Sequence, residues 1–173
     1  GTNLVTNGDF SNGTTGRLIG YVTNVVVDNV LKLTGAGVNA LVSAYFVTQQ
    51  PLTIGNKYYF ATMERFTSAN VPVLLTTFRG TVSGNVEGVK ILNPTLNVWN
   101  LLSSITKADA SFSGNVRVRI NATYSDGASS AGQTTEYKYF KCIDLTATFG
   151  AGNEPTVEQM DAIMAKFPNS WFA

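Results

Sequence analysis

The side chains best suited to chemistry lie in two alternating runs, KYYFATMERF and VRVRINATY, and in the segment NVWNLL. These segments combine aromatic rings with guanidinium and amide groups. A ring can lie against the apolar face of a pyranose, while planar polar groups bond neighbouring hydroxyls in pairs. The residue types therefore suit saccharide binding. The candidate residues are Tyr59, Met63, Arg65, Trp99, Arg117, Arg119 and Asn121.

These residues form one site only if the two runs are neighbouring strands. In VRVRINATY, Val116, Val118 and Ile120 alternate with polar residues, so the aliphatic set points inward and the polar set faces outward. If KYYFATMERF lies beside this strand, the two rows form a polar groove with an aromatic edge. The alternative is that these are solvated sheet-face residues making cross-strand pairs.

Two other common chemistries lack the residues that they need. The sequence contains no histidine, which excludes Ser-His-Asp and Cys-His nucleophiles and His-ligated metal sites. The stretch DLTATFGAGNEPT has the layout of a phosphate loop, but it lacks the Lys and the third glycine of the nucleotide-binding motifs, and Glu154 would repel phosphate. We interpret Gly150 and Gly152 as turn residues between the last strand and a helix.

A glycoside hydrolase would need two converging carboxylates. Among the eleven acidic residues no pair is marked by its context, since Glu154, Glu158 and Asp161 belong to the terminal loop and helix and Glu64 lies beside Arg65. The sequence therefore predicts no catalytic residues, and we expect that the chain is not an enzyme.

The charge and hydropathy patterns narrow the expected partners. Twelve Lys+Arg nearly balance eleven Asp+Glu, so no strong field attracts nucleic acid or an anionic membrane, and neither is an expected partner. We find no basic-then-apolar leader and no run of about eighteen apolar residues, so we expect neither an export signal nor a membrane span. Cys142 falls in an apolar run, where a buried and inert thiol is expected.

Short runs rich in Val, Ile, Thr, Tyr and Phe, separated by Gly, Asn, Asp and Pro, predict an all-β fold. The predicted strands are YVTNVVV, VLKLTG, ALVSAYFV, KYYFATMERF, VPVLLTTFRG, VWNLLSSIT, VRVRINATY and EYKYFKCIDLTATF. A jelly-roll β-sandwich of two antiparallel sheets accommodates them. We expect a single domain over residues 1–173, with the sandwich over about 1–149 and a loop plus capping helix over 150–173.

The segment TVEQMDAIMAKF predicts one short C-terminal α-helix, because its apolar residues recur at helical spacing. Thr156 and Gln159 match a capping box, and Asn169 and Ser170 after Pro168 mark the end of the helix. We expect the apolar stripe to pack onto the end of the sandwich, with Trp171 and Phe172 as a further apolar clamp. The stripe consists of Val157, Met160, Ile163, Met164 and Phe167.

Two segments of the chain resemble known proteins. The opening NLVTNGDFSNGTTG, together with VLKLTG and GNKYYFATM, resembles carbohydrate-binding modules of the galactose-binding-like jelly-roll type, similar to families 4 and 9. The tail IDLTATFGAGNEPTVEQMDAIMAKFP is similar to a segment that recurs in tail, baseplate and structural proteins of phages of Gram-positive bacteria, where it follows such a jelly roll. Together they resemble a carbohydrate-binding module of a phage tail or baseplate protein, such as an insertion in an enlarged distal tail protein or a receptor-binding accessory.

The resemblance implies a function, a location and partners. It implies a non-catalytic module that binds host cell-wall polysaccharide or another saccharide and so mediates host adsorption. The partners would be that saccharide and the rest of the tail protein, and the location would be the virion tail tip, after synthesis in the host cytoplasm. The alternative is a structural or protein-interaction module that decorates the virion without binding sugar.

The resemblance also assigns side chains to faces of the predicted strands. It places Tyr58 and Phe60 in the core and leaves the candidate residues of the same strand on the outer face. A tryptophan at the position of Trp99 often packs inward in this family, so Trp99 stays open between a ligand platform and a core residue.

Two positions depart from the family pattern. The family has a glutamate after Gly-Asp-Phe that commonly helps to hold a structural calcium ion, whereas this chain has Ser11. Asp9 and Asp144 remain as possible calcium ligands, but they lie far apart in sequence, and we expect no cofactor. The family also has a tryptophan after its Gly-Thr-x-Gly turn, where this chain has Arg17.

Overall fold

The computed structural model describes residues 3–5, 8–12, 17–19, 22–68, 73–78, 85–86, 90–91, 94–110, 112 and 115–167. The strands are β1 (Arg17–Ile19), β2 (Val22–Val27), β3 (Val30–Gly35), β4 (Leu41–Pro51), β5 (Lys57–Phe66), β6 (Val73–Phe78), β7 (Asn85–Val86), β8 (Lys90–Ile91), β9 (Asn100–Lys107), β10 (Asn115–Thr123) and β11 (Thr134–Asp144). A 3-10 turn (Ala128–Ser130) and two helices, α1 (Leu145–Phe149) and α2 (Val157–Met164), complete the described elements.

The strands form two antiparallel sheets. One is six-stranded, in the order β1-β4-β10-β6-β7 with β8 also paired to β6, and the other is five-stranded, in the order β2-β3-β11-β5-β9. Each of the eight predicted strands contributes to one of these sheets. The prediction of an all-β jelly-roll sandwich is confirmed.

The inner faces of the two sheets meet in one hydrophobic core. Phe46 of the six-stranded sheet stacks on Phe140 of the five-stranded sheet, with ring centroids 4.0 Å apart, and Phe10 meets Phe46 edge-on at 5.9 Å. Tyr58 and Phe60 belong to this core, as the resemblance implied. Because successive residues of a strand point to opposite sides, this packing fixes which side chains face outward.

The prediction that LTATF continues the last strand is wrong. β11 ends at Asp144, and Leu145–Phe149 form the short helix α1. The Asp144 carboxylate caps this helix by accepting the Ala147 backbone N–H at 2.9 Å, while Gly150 at its end has a φ of 92°. An aspartate at the N-cap and a glycine in the left-handed region are strong local helix boundaries that outweigh the β propensity of Thr and Phe.

The loop between α1 and α2 is held by Glu154. Its carboxylate accepts the Thr146 hydroxyl and the Gly152 backbone N–H, both at 2.9 Å, and lies 3.5 Å from the Lys57 ammonium. These backbone and hydroxyl hydrogen bonds lower the pKa of Glu154 from its usual value. Glu154 therefore joins the loop to α1 and to the beginning of β5.

Helix α2 lies against the outer face of the five-stranded sheet. Met160 and Met164 are buried there with Tyr59 and Ala61 of β5. Four residues of the predicted apolar stripe, Val157, Met160, Ile163 and Met164, therefore pack on a sheet face, and not on the end of the sandwich as expected. The fifth, Phe167, is 41% exposed. The predicted clamp of Trp171 and Phe172 lies outside the described residues. Within the described ranges, no helix is both long and apolar enough to cross a lipid bilayer.

The predicted capping box is present at the start of α2. The Thr156 side chain accepts the Gln159 backbone N–H at 3.2 Å, and the Gln159 side chain accepts the Thr156 backbone N–H at 2.9 Å. Thr156→Ala should lower the free energy of unfolding by about 1 kcal/mol, because one amide at the helix start loses its acceptor. Urea titration of both proteins measures this loss. Thr95→Ala, at an exposed threonine in the loop before β9, is the control, and equal losses in the two variants would show that the cap contributes nothing.

Candidate functional site

The seven candidate residues are divided between the two sheets. β5 carries Tyr59, Met63 and Arg65 in the five-stranded sheet, where it pairs with β9 and β11. β10 carries the other strand candidates in the six-stranded sheet, where it pairs with β4 and β6. The condition that the two runs are neighbouring strands is not met. A single groove that joins all the candidate residues is therefore not formed, and each face has to be considered separately.

Tyr59 lies on the outer face of its sheet, but α2 covers it. The side chain is fully buried, and its hydroxyl donates to Oδ1 of Asp161 on the helix at 2.7 Å. Ser103 of β9 donates to the other oxygen of the same carboxylate at 3.0 Å. Burial, followed by the contact with Asp161, raises the pKa of Tyr59 well above its usual value. Tyr59 thus fastens the helix to the sheet and presents no surface to a ligand.

The part of this face beyond α2 carries Arg65 and Trp99. The Arg65 guanidinium donates to Oε2 of Glu136 on β11, from Nε at 3.1 Å and from Nη2 at 2.5 Å. It also lies over the Trp99 ring, 4.6 Å from the centroid, and the Lys138 ammonium lies 4.2 Å from the same centroid. Trp99 is therefore on the outer face, and two cations already occupy positions over its ring.

A shallow groove of about 270 Å³ runs beside Arg65 towards the edge strand β2. Met63 lies next to this region, opposite Lys138 on β11, and is half-buried. Burial and the nearby Arg65 lower the pKa of Lys138 from its usual value. This face is therefore a network of paired charges with an apolar margin. The groove is lined by Val25, Val27, Asp28, Val30, Lys32, Arg65 and Glu136.

The six-stranded sheet brings together Arg117, Arg119 and Asn121. Because Val116, Val118, Ile120 and Ala122 of β10 are buried in the core, the three alternate residues share the outer face. Arg117 is exposed, Arg119 is half-buried, and Asn121 is 1% exposed. The Asn121 amide donates to the Thr123 hydroxyl at 2.9 Å, whereas its buried Oδ1 has no hydrogen-bond partner among the described residues.

Tyr45 is a residue of this face that the sequence reasoning did not single out. It is the Cα partner of Arg119 across β4 and β10, so the half-buried ring and the guanidinium lie side by side. The alternation in ALVSAYFV contained the signal, since the neighbours Ala44 and Phe46 are core residues. Cross-strand partners point to the same side of a sheet, which puts an aromatic ring next to the polar row.

The acidic residues considered for calcium do not fit such a site. Oδ1 of Asp9 accepts the backbone N–H and the hydroxyl of Ser11, at 3.1 and 2.8 Å. Asp144 caps α1 and accepts the Asn56 amide at 2.9 Å. Among the described residues, no group of three or more His, Cys, Asp or Glu side chains is placed to hold a metal ion. Calcium prefers six to eight oxygen ligands, which two separated and already bonded carboxylates do not provide.

Cys142 is completely buried in the core, as predicted. Burial raises the pKa of its thiol well above the usual value, so the reactive thiolate is strongly disfavoured. The thiol is thus a packing group and not a candidate for chemistry.

Comparison with solved structures identifies a fold shared with carbohydrate-binding modules. The chain is similar to the CBM22-2 xylan-binding domain of Paenibacillus barcinonensis Xyn10C, with a TM-score of 0.62 and 11% identity over 79% of this chain and 97% of that one. It is also similar to TmCBM61, solved in complex with β-1,4-galactotriose, with a TM-score of 0.54 and 12% identity over 83% of this chain and 99% of that one. These likenesses define the class of fold, a carbohydrate-binding-module jelly roll.

A phage protein shares the same fold. The enzymatically active domain of tailspike protein 4 from bacteriophage CBA120 matches with a TM-score of 0.54 and 14% identity, over 81% of this chain and 21% of that one. No protein-family model matches the sequence, and no curated protein matches it either.

Proposed function

We propose that the chain is a non-catalytic module that binds a saccharide along the outer face of the six-stranded sheet. The observation that supports this most directly is that Arg117, Arg119 and Asn121 form one row on the outer face of β10, in which the Arg117 side chain is exposed.

The chemistry of this face suits a sugar ring. Tyr45 offers an apolar surface beside Arg119, and the two guanidiniums can bond neighbouring hydroxyls in pairs. The five-stranded sheet is less suitable, because α2 covers Tyr59 there. Among the candidate residues, we assign ligand contact to Arg117 and Arg119 and a supporting role to Asn121.

The acidic residues support a role without hydrolysis. Glycoside hydrolysis needs two carboxylates on either side of the scissile bond. Glu64 is fully buried between the sheets, Asp161 bonds Tyr59 and Ser103, and Glu154 is held in the loop. Moreover, the described strands of the six-stranded sheet contain no Asp or Glu.

The parent protein and the biological ligand belong to the same proposal. The tail segment similar to phage structural proteins, and the fold shared with a phage tailspike, support a module of a phage tail or baseplate protein that binds host cell-wall saccharide at the virion tail tip. Many copies around a symmetric tail would turn weak individual contacts into firm attachment. A fluorescent fusion of the chain should then label intact Gram-positive cells, and soluble wall saccharide should compete. Absence of labelling would favour the structural alternative, a module that decorates the virion.

Arg119→Ala should weaken binding of purified wall saccharide about tenfold or more, because a hydrogen bond to a charged group contributes about 1.5–3 kcal/mol. Titration calorimetry or saturation-transfer NMR measures this change. Lys107→Ala, at an exposed cation on the other sheet, is the matched control and should leave binding unchanged. Equal effects of the two substitutions would contradict the assignment of this face.

A further inference from the structure

We propose that β2, the edge strand of the five-stranded sheet, pairs antiparallel with β2 of a second copy of this chain. The proposal goes beyond the saccharide site, because it concerns the other sheet and a contact between two copies. It rests on the exposure of β2, on the absence of charge from its sequence, and on the register that its alternation imposes.

β2 is an edge strand with an exposed outer face. Among the described strands it pairs only with β3, to which it is joined by the two-residue turn Asp28-Asn29. Both turn residues have a positive φ, 50° and 62°, as a tight β-hairpin requires. Val25 and Val27 are 49% and 59% exposed. The hairpin therefore presents to solvent two valines and a strand edge that no described strand pairs.

β2 lacks the features that usually keep an edge strand from pairing with another chain. Such strands commonly carry a lysine, a proline or a β-bulge. The sequence VTNVVV contains no charged residue and no proline, and its register with β3 is continuous from Val22 to Val27. Valine and threonine also favour the extended conformation. β2 can therefore accept a further strand along its outer edge.

The charges near β2 favour a second copy as that strand. Partners of different sequence are selected largely through complementary charges, and β2 offers none. Behind it, the cross-strand row of Lys32, Glu136 and Arg65 alternates in sign, so little net field opposes an identical surface. Two copies related by a two-fold axis need only be complementary to themselves. Their Lys32 side chains would lie three strand spacings apart, about 14 Å, which exceeds the Debye length of about 8 Å at physiological ionic strength.

The alternation of β2 determines the register of the pair. Val22 and Val26 pack against the core, so Thr23, Val25 and Val27 share the outer face. Directly opposite residues of an antiparallel pair point to the same side. A two-fold axis at Val25 therefore places Val25 opposite its own copy and Val27 opposite Thr23, which covers both exposed valines.

The backbone of β2 fits the same register. The pair that flanks a two-residue turn is hydrogen-bonded, and bonded and non-bonded pairs then alternate along the hairpin. Counted from the turn, the backbone groups of Val25 and Val27 point to β3, and those of Asn24 and Val26 point to the open edge. Across an axis at Val25, Asn24 and Val26 of the two copies lie opposite each other and complete the ladder. The Asp28 residues stay at opposite ends, about 20 Å apart.

The expected association is weak for a single pair of chains. Pairing of two strands of six residues buries less area than the roughly 1,200 Å² of a stable interface, so the dissociation constant should lie above about 1 µM. A parent assembly that holds several copies close together would raise their effective concentration to about the millimolar range. The measurements therefore need high protein concentrations or a covalent trap.

A disulfide trap tests the register. In a non-hydrogen-bonded antiparallel pair the Cα atoms are about 4.5 Å apart, within the range that a disulfide spans. Val25→Cys, made in the whole chain, should therefore form a disulfide-linked dimer under mild oxidation, measured by non-reducing gel electrophoresis. Val38→Cys, at a 69% exposed valine between β3 and β4, is the matched control and should remain mostly monomeric. The native Cys142 is buried and does not compete.

Position 27 distinguishes this register from random collision. Val27→Cys should not link to itself, because its two copies lie about 14 Å apart along the strands, whereas a mixture of Val27→Cys and Thr23→Cys should cross-link. Dimer formation by Val25→Cys at no higher rate than by Val38→Cys would overturn the proposal. Self-linking of Val27→Cys as fast as that of Val25→Cys would overturn it as well.

Sedimentation equilibrium of the unmodified chain provides a second test. Its average mass should rise towards that of a dimer as the protein concentration approaches about 500 µM. Val25→Lys places two like charges at the axis and should keep the chain monomeric, while urea titration should show that this variant is still folded. Val38→Lys should dimerise like the wild type. A wild type that stays monomeric at the highest concentration would contradict the pairing of β2.

Discussion

Glu64→Gln should stabilise the fold by about 2 kcal/mol at pH 8 and by little at pH 4.5. Glu64 is on β5 and points between the sheets, where its side chain is fully buried. Neither carboxylate oxygen makes a hydrogen bond to the described residues, and the hydroxyls of Tyr124, Thr135 and Tyr137 are also buried without partners. Burial of the charged form raises the pKa of Glu64 from 4.5 to about 7.

The sign of the pH dependence follows from this raised pKa. Between about pH 4.5 and pH 7 the folded state binds more protons at Glu64 than the unfolded state, so the stability contributed by this group falls as the pH rises. Above about pH 7 the folded protein carries the full cost of a buried and unpaired carboxylate. Glutamine has nearly the same shape and no charge, so it removes that cost where it is largest.

Urea titrations of Glu64→Gln and the wild type from pH 4.5 to pH 8 measure this difference. The matched control is Glu158→Gln on the exposed side of α2, which should change stability by less than about 0.5 kcal/mol over the same range. If the difference between Glu64→Gln and the wild type did not grow between pH 5 and pH 7, the buried carboxylate would not be the cause.

The local features of this fold could be predicted from the sequence, because they depend on neighbouring residues. Alternation in VRVRINATY identified a strand and its core face. KYYFATMERF was likewise identified as a strand, but its core face was implied by the family resemblance. Thr156 with Gln159 marked the start of α2. Each of these signals depends only on residues a few positions apart in the sequence. The same alternation also placed Glu64 in one set with Tyr58 and Phe60, which was a sufficient signal for a buried carboxylate.

The pairing of distant strands could not be predicted in the same way. Whether β5 and β10 are neighbours depends on the path of the chain between two sheets, and no property of either strand alone specifies it. For the same reason α2 was expected at the end of the sandwich, although it covers Tyr59 on a sheet face. The sequence therefore predicted individual candidate residues but not which of them lie together. Tyr45 was identified only from the structure, as the cross-strand partner of Arg119.

The outer faces of the two sheets differ in which side chains are covered. On the five-stranded sheet, α2 encloses polar groups that a bare sheet would leave in water, among them Tyr59, Ser103 and Lys141. On the six-stranded sheet, Arg117 stays exposed. Helix α2 thus covers part of one face, whereas Arg117 is exposed on the other, and this difference is the physical basis for proposing the saccharide at Arg117.

A second substitution with a large expected effect on stability is at Lys141, on the sheet face that α2 covers. Lys141→Met should stabilise the fold by about 2 kcal/mol at pH 7, and the gain should disappear as the pH approaches 10.5. The Lys141 side chain is 1% exposed, and its ammonium has no hydrogen-bond partner among the described residues. Burial lowers its pKa from 10.5 to about 8, and the attraction of Asp161 offsets only part of this effect.

The direction of the Lys141 pKa shift determines whether the substitution stabilises or destabilises the fold. Below about pH 8 Lys141 is charged in both states, and its ammonium is better hydrated in the unfolded state, so the charge destabilises the fold. Between about pH 8 and pH 10.5 the folded state releases this proton before the unfolded state does, so the stability of the fold rises with pH. Methionine keeps the apolar stem without the charge.

Urea titrations from pH 6.5 to pH 10, with Lys107→Met at an exposed position as the control, measure the difference. A loss of stability at pH 7 would mean that the attraction between Lys141 and Asp161 exceeds the cost of burial, and that Lys141 helps to hold α2 on the sheet.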